Sequence, residues 1–281
     1  MNRATKSQEL AGKVCLIAGA SGAIGSAVAE RFFHEGARLV LAGHDRKADW
    51  SLEDHEASGR IQYVQFDVRS WEEVNAAVAG TYDRFGAMDV LVNCTGAQGP
   101  IGPAHTADPG EWSRAVETNL LGCFHLVRAV VPPMVKQGGG RIIHFSGGGA
   151  AYARPYFSAY GACKAAIVRF TETLAEELRD AHIQVNAIAP GPVRSRMWDE
   201  MRAAGAAAGA RTIREIEQME ETGGVDPGRV AALALFLAST SSNGLTGRLI
   251  SGVHDRWEGF GPRITEIMNT DRGTLRRVPL D

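Results

Sequence analysis

The stretch that most constrains this chain runs from Lys13 to Phe33, KVCLIAGASGAIGSAVAERFF, an apolar run followed by a glycine-rich turn and a helical pattern. Val14, Cys15, Leu16, Ile17 and Ala18 form an unbroken apolar run, the pattern of a strand covered on both faces in a parallel sheet. Gly19, Gly22 and Gly25 follow at once, and Ala27, Val28, Phe32 and Phe33 then recur at helical spacing. The glycines therefore stand where a strand hands over to a helix. Glycine permits the tight turn, and the first N–H groups of a helix, unpaired and at the positive end of its dipole, can hold a pyrophosphate. A glycine cluster by itself also makes an ordinary turn; its place between strand and helix favours the phosphate site.

The rest of the chain repeats the alternation. Further strands are expected at Arg38 to Ala42, Ile61 to Phe66, Val90 to Asn93, Arg141 to Phe145, Gln184 to Ile188 and Leu249 to Val253. Between them lie helical patterns at Ser70 to Arg84, Pro109 to Pro132, Ser158 to Asp180 and Asp226 to Ser239. Strands alternating with helices predict a doubly wound parallel sheet, because parallel neighbours need crossover connections. Ligands then bind beyond the strand C-termini, a rule that gathers the Gly19 turn, His44, Asp67, Gly96, Ser146 and Pro190 on one rim.

With 281 residues the chain suits a single α/β domain. The expected division is a disordered lead-in over 1–9, a dinucleotide-binding domain over 10–253 and a polar tail over 254–281. Within the domain, 194–224 is rich in Ala and Gly at its centre and reads either as a substrate lid or as two surface helices with a flexible joint. A net charge of −2 with dispersed charges offers no basic stripe for nucleic acid. No uninterrupted apolar run approaches the roughly eighteen residues of a membrane span, and the first ten residues are polar, so a cytoplasmic protein is expected. Cys15, Cys94, Cys123 and Cys163 lack a CxxC pair and read as reduced core residues; no metal site is expected.

A second signal is Tyr160-Gly161-Ala162-Cys163-Lys164, inside the helix expected from Ser158. Residues four apart share a helical face, so the phenol and the ammonium project into the same space. A positive charge beside a phenol favours its ionised form, and bringing a tyrosine from about 10 to near 7 asks for roughly 4 kcal/mol.

These residues together resemble the short-chain dehydrogenase/reductase family, over nearly the whole span from Leu10 to Gly247. The family's glycine turn corresponds to AGASGAIG at Ala18 to Gly25, its NNAG to Asn93-Cys94-Thr95-Gly96, and its YxxxK to Tyr160 and Lys164. Asn119 matches its helix asparagine, Asp67-Val68 its adenine-side pair, and the segment from Pro190 to Ser195 its PGxxxT. The resemblance implies a Rossmann-type fold with helices on both faces and an NAD(P)-dependent oxidoreductase that interconverts a secondary alcohol and a ketone. It implies Tyr160 as general acid and base, Lys164 as the cation that tunes it and holds the nicotinamide ribose, Asn119 as support for a water, and Ser146 as donor to the carbonyl oxygen. The implied cofactor contacts are Gly19, Ser21, Gly22, Ala23, Ile24, Gly25, Gly43, His44, Asp67, Val68, Asn93, Gly96, Tyr160, Lys164, Pro190, Gly191, Val193 and Ser195. A homotetramer or homodimer acting on a small carbonyl or alcohol is also implied. Plainer readings stand beside these: Asn119 stabilising a kinked helix, Ser195 capping the next one, and a non-catalytic dinucleotide sensor on the same fold. A nucleotide-sugar epimerase needs a larger C-terminal part than follows Gly191.

Two departures matter. Ala18 and Ala23 replace the family's threonine and middle glycine, and the usual ending after Leu249 is absent, replaced by the tail. The family carries its serine thirteen positions before the tyrosine, where this chain has Gly147, while Ser146 stands fourteen before. A one-residue shift turns a strand side chain to the other face, but Gly147, Gly148 and Gly149 can redirect the chain. The expectation is that Ser146 Oγ lies within hydrogen-bond reach of the Tyr160 hydroxyl, directly or through one intervening atom. Gly43 stands where NAD-binding members place an acid, and His44 with Arg46 suits a 2′-phosphate, so NADP is favoured over NAD, with Asp45 the counter-indication. Tyr152, Tyr156, Phe157, Met197, Trp198 and Met201 are the expected pocket, with Arg154 or His105 available to an anionic group.

Overall fold

The computed structural model describes residues 8–44 and 58–280. Its strands are β1 (Val14–Ala18), β2 (Arg38–Gly43), β3 (Ile61–Gln65), β4 (Val90–Asn93), β5 (Gly140–Phe145), β6 (Ile183–Ala189) and β7 (Leu249–Ser251). The helices are α1 (Ala23–His34), α2 (Trp71–Phe85), α3 (Pro109–Val116), α4 (Gly122–Lys136), α5 (Ser158–Glu177), α6 (Arg196–Ala204), α7 (Gly209–Thr222), α8 (Pro227–Ala238) and α9 (Ile264–Met268). The strands make one sheet in the order β3-β2-β1-β4-β5-β6-β7, every neighbouring pair parallel. The order reverses at β1, so a crevice opens between the ends of β1 and β4, the place where such sheets bind ligands.

Alternate residues of each strand face opposite sides, and both sides are dry. Cys15 and Ile17 pack with Phe32 and Phe33 of α1 and with Leu233 and Leu237 of α8. Leu16 and Ala18 pack on the other side with Val74 of α2 and Leu126 and Val130 of α4. That double covering explains why β1 reads as a continuous apolar run; each fully buried aliphatic side chain there contributes about 1.5–3 kcal/mol. Register between β1 and β4 is pinned at their starts by Asp89, which accepts from Val14 N at 2.9 Å and from Lys13 Nζ at 2.8 Å.

Three expectations change in detail. The continuous helical stretch Pro109–Lys136, 28 residues, is long and apolar enough to match a membrane span, which uninterrupted apolar runs did not register. Half of its most apolar 18-residue window is buried, and it packs on α2, α5, β4 and β5 as a core helix does. The 194–224 segment forms α6 and α7 joined by a tight turn over Gly205–Ala208. The tail folds back on its own chain: Trp257 and Ile267 enter the core, Gly273 O accepts from Leu249 N at 2.7 Å, and Glu172 accepts from Leu275 N and from Arg276. The expected lead-in, apart from Gln8 and Glu9, lies outside the described residues.

Two glycines test the packing in opposite directions. A Cβ on Gly25 would lie 2.3 Å from Gly19 O and 2.7 Å from Ala20 Cα, both backbone atoms, whereas one on Gly80 in α2 meets nothing within 4 Å. Gly25→Ala gains about 1 kcal/mol of helix propensity and loses about 1–3 to overpacking, so it lowers the urea midpoint. Gly80→Ala carries only the gain and raises stability by about 0.5–1 kcal/mol.

Candidate active site

At the end of β1 the chain turns through Gly19 at φ 75°. A side chain there would strike Cys94 C and Thr95 N at 2.9 Å, so the β1 and β4 turns touch backbone to backbone. Helix α1 begins at Gly22 with no side-chain cap. The first N–H groups of α1, those of Ala23, Ile24 and Gly25, are therefore open to a ligand at the mouth of the crevice, beside Ser21.

The second wall is the turn after β4. Asn93 accepts from Thr95 N at 3.1 Å and Thr95 Oγ1 at 2.6 Å, closing the turn. Asn119, in a widened helical turn over Glu117–Leu121, donates to Ala97 O and Ala115 O, each at 2.8 Å, and accepts from Ala97 N at 3.2 Å. The asparagine thus clamps the loop to the helix and also stabilises the irregular turn it sits in. Between these parts Gly96 lets the turn approach closely: a Cβ there would lie 3.2 Å from Asn119 Oδ1, 3.5 Å from Met197 Cε and 3.6 Å from Lys164 Nζ.

Tyr160 and Lys164 lie on the inner face of α5, with Lys164 Nζ 5.4 Å from the Tyr160 ring centre. Lys164 is 2% exposed and donates to Phe145 O at 2.9 Å. Burial pulls its pKa down from 10.5 to about 8, opposed by the thiols of Cys123, Cys163 and Cys94. Burial likewise raises the Tyr160 pKa; the cation pulling it back is Arg154, while Tyr152 pushes it further up. The sequence pairing of Tyr160 with Lys164 therefore omits the guanidinium that acts on the phenol.

Ser146 does not meet Tyr160 directly. Its Oγ donates to Lys164 O at 3.1 Å, the residue is 3% exposed, and no hydrogen bond joins it to Tyr160 among the described residues. The reason is that Ser146 N still donates to Ile188 O at 2.8 Å, continuing the β5–β6 ladder, so strand alternation persists through residue 146. Gly147 holds the place beside the tyrosine, where a Cβ would lie 2.6 Å from the Tyr160 hydroxyl.

The remaining cofactor-side residues occupy the same rim. β2 ends at Gly43, followed by exposed His44, while Asp45 and Arg46 lie outside the described residues. Asp67 accepts from Arg69 N at 2.9 Å and Arg69 Nε at 3.0 Å, an arginine pairing that holds its pKa down. Val68 is buried against Gly122 and accepts from His125 Nδ1 through its carbonyl at 2.9 Å. Beyond β6, Pro190 leads to Gly191 at φ 79°, Val193 is buried, and Ser195 heads α6 without a side-chain cap bond. Its hydroxyl therefore remains available.

Above Tyr160, Phe157, Trp198, Met201, Ile216 and Met219 form one buried cluster that joins α6 and α7 to the rim. Met197 packs against it, while Tyr152 and Tyr156 stay exposed, and His105 lies on an exposed turn over Ala104–Thr106. Sequence reasoning passed over Gln98, whose Nε2 is buried without a partner directly after the Asn119-held turn. Only its position after Gly96 could have marked it.

The site belongs to a doubly wound dinucleotide-binding protein with a tyrosine–lysine pair at the rim. The short chain dehydrogenase profile matches residues 13–206, and the chain belongs to that family. It is 32% identical over 246 residues to the 3-oxoacyl-[acyl-carrier-protein] reductase FabG of Thermotoga maritima, covering 86% of this chain and 96% of that one. Among solved structures, NAD+-bound xylitol dehydrogenase matches with TM-score 0.76 and 32% identity, over 86% of this chain and 98% of that one. Actinorhodin polyketide ketoreductase with NADPH matches with TM-score 0.78 and 28% identity, over 88% and 97%. The family binds a nicotinamide dinucleotide, and the uncapped α1 N-terminus beside the glycine turn fits its pyrophosphate.

The buried lysine sets a pH dependence. Between about pH 8 and 10.5 the unfolded chain keeps a proton that folded Lys164 has released, so this group's contribution to stability rises with pH through that window. Below it both states are charged and the burial penalty is felt in full. Relative to Lys164→Met, the wild type gains on the order of 3 kcal/mol across the window. Urea unfolding of both proteins at each pH measures this; a constant difference contradicts it.

Proposed function

We propose that the protein is an NAD(P)-dependent oxidoreductase interconverting a secondary alcohol and a ketone, with Tyr160 as the proton donor in reduction and acceptor in oxidation. The observation that carries the reading is the Tyr160–Lys164 pair on the inner face of α5, with Lys164 Nζ 5.4 Å from the Tyr160 ring centre, at the rim shared with the uncapped N-terminus of α1. When bound, the nicotinamide supplies or accepts the hydride. The α1 N-terminus would hold the pyrophosphate, and Lys164 would hold the ribose hydroxyls. Tyr160, beneath the apolar cluster that excludes water, would pass its proton to the carbonyl oxygen, and Asn119 would hold the turn after Gly96 in place beside Lys164. Ser146 would steady the α5 backbone at Lys164. α6 and α7 would act as the substrate lid.

For the coenzyme we favour NADP: β2 ends on a glycine, and His44 is exposed beside it. Leu121 and Phe124 are 42% and 44% exposed next to Phe170, and this apolar patch across the widened turn, α4 and α5 supports a homodimer or homotetramer.

Tyr160→Phe removes only the transferable proton, so turnover falls by about 10²–10⁴-fold while coenzyme affinity, read by fluorescence quenching, stays within a few-fold. Retained turnover would exclude the mechanism. Gly43→Asp adds a carboxylate at the ribose and shifts preference towards NAD; the ratio of kcat/KM with the two coenzymes reads it, and an unchanged ratio rejects the NADP assignment.

A further inference from the structure

The loop between β5 and α5 places a guanidinium next to the tyrosine with two side-chain-free positions beside them. A Cβ on Gly147 would lie 2.6 Å from the Tyr160 hydroxyl; one on Gly148 would lie 3.0 Å from the Tyr152 hydroxyl and 3.3 Å from Arg154 Nη1. The serine position is thus empty of side chain, and the polar groups around it are two phenols and an arginine.

Arg154 is poorly satisfied where it stands. Its side chain is 12% exposed and its Cζ lies over the Phe157 ring, 4.2 Å from the ring centre. Nη2 donates to Met201 Sδ at 3.2 Å, and Glu215 Oε2 is 3.6 Å away, beyond hydrogen-bond distance. A guanidinium has five donors, and a thioether is a weak acceptor. Nearly burying such a charge is costly unless an anion meets it. Glu215 does not suffice, because it is shared: Arg211 Nε donates to its other oxygen at 3.0 Å, and the Arg211 guanidinium lies over the Tyr152 ring at 4.8 Å. Two cations therefore face one carboxylate, and the cluster carries a net charge of plus one. The same guanidinium opposes the rise that burial imposes on the Tyr160 pKa, which fits its closeness to the phenol.

We propose that Arg154 receives a carboxylate of the substrate, so that the enzyme acts on oxo acids and the corresponding hydroxy acids rather than on neutral ketones and alcohols. This rests on the oxidoreductase reading for the reacting carbonyl. The fork of Arg154 matches a carboxylate in two parallel bonds. The carbonyl left beside Tyr160 gains a hydride at carbon from the reduced coenzyme and a proton at oxygen from Tyr160, and the carboxylate is unchanged. Glu215, on the lid helix α7, holds the guanidinium weakly until the substrate takes it.

The test pairs α-, β- and γ-oxo acids with their methyl esters, measured by calorimetry on coenzyme-saturated protein and by initial rates. At least one acid binds about 100-fold tighter than its ester, the scale of a charge-assisted pair in a dry site. Arg154→Gln brings that acid-to-ester ratio to within about threefold, Arg154→Lys restores part of it, and Glu215→Gln tightens the acid several-fold. Melting curves of each variant confirm folding. Equal affinity for acid and ester in the wild type, no binding of any acid, or a ratio unmoved by Arg154→Gln overturns the proposal. Turnover of esters and neutral ketones as fast as acids removes this inference and leaves the oxidoreductase reading standing. Acids bound through Arg154 with no turnover of any pair do the reverse.

Discussion

All strands in the described sheet run the same way, and this single constraint organises the molecule. Parallel neighbours cannot be joined by hairpins, so the strands from β3 onward, like β1, return through helices, the β2–β3 connection lying largely outside the described residues, and every carboxyl end arrives at one rim. Reversal of strand order at β1 leaves the crevice there uncovered by a crossover, and the Gly19 turn closes to contact with the Cys94–Thr95 backbone. The glycines matter because the approach is too close for any Cβ, a property of backbone geometry rather than of side-chain chemistry.

The rim then concentrates charge in a dry place. Lys164 is buried and anchored to Phe145 O, which costs protonation free energy and draws its pKa towards neutrality. Tyr160 suffers the converse, burial opposing the phenolate, and Arg154 supplies the opposing field. Burial thus favours the neutral phenol and the neutral amine and moves the two pKa values apart, and Arg154 partly offsets this at the phenol. The apolar cluster of Phe157, Trp198 and Met201 keeps water from screening those fields.

α6 and α7 belong to the same economy of contacts. They meet the rim through the cluster around Trp198, through Tyr156 against Gly209, and through the weak Arg154–Glu215 pair. The joint over Gly205–Ala208 is flanked by positive φ at Gly205 and Gly209, conformations that glycine adopts without strain. An apolar contact that is general and an ionic contact that is weak and specific leave the two helices attached yet responsive to what occupies the pocket.

Most of the fold was legible in the sequence. β1 and β4 have the expected bounds because continuous apolar runs between glycine and polar turns leave no competing period, and Tyr160 and Lys164 share a face because helical spacing requires it. Boundaries slipped where a side chain turned the chain: β7 stops at Ser251, whose Oγ accepts from Val253 N at 3.2 Å and His254 N at 3.0 Å, so the strand does not run on to Val253. The membrane-length helix was missed because its apolar residues are interrupted in sequence though continuous in the helix. The direction of Ser146 was decided only by tertiary structure, since its N–H bond to Ile188 on a separate strand keeps it in the sheet for one more residue. So was the meeting of Arg154 with Tyr160, Glu215 and Met201, which no spacing rule encodes because the partners come from three separate elements. Local periodicity determined the elements and the tyrosine–lysine pair; which polar groups face one another across the rim depended on distances that exist only once the sheet and lid have packed.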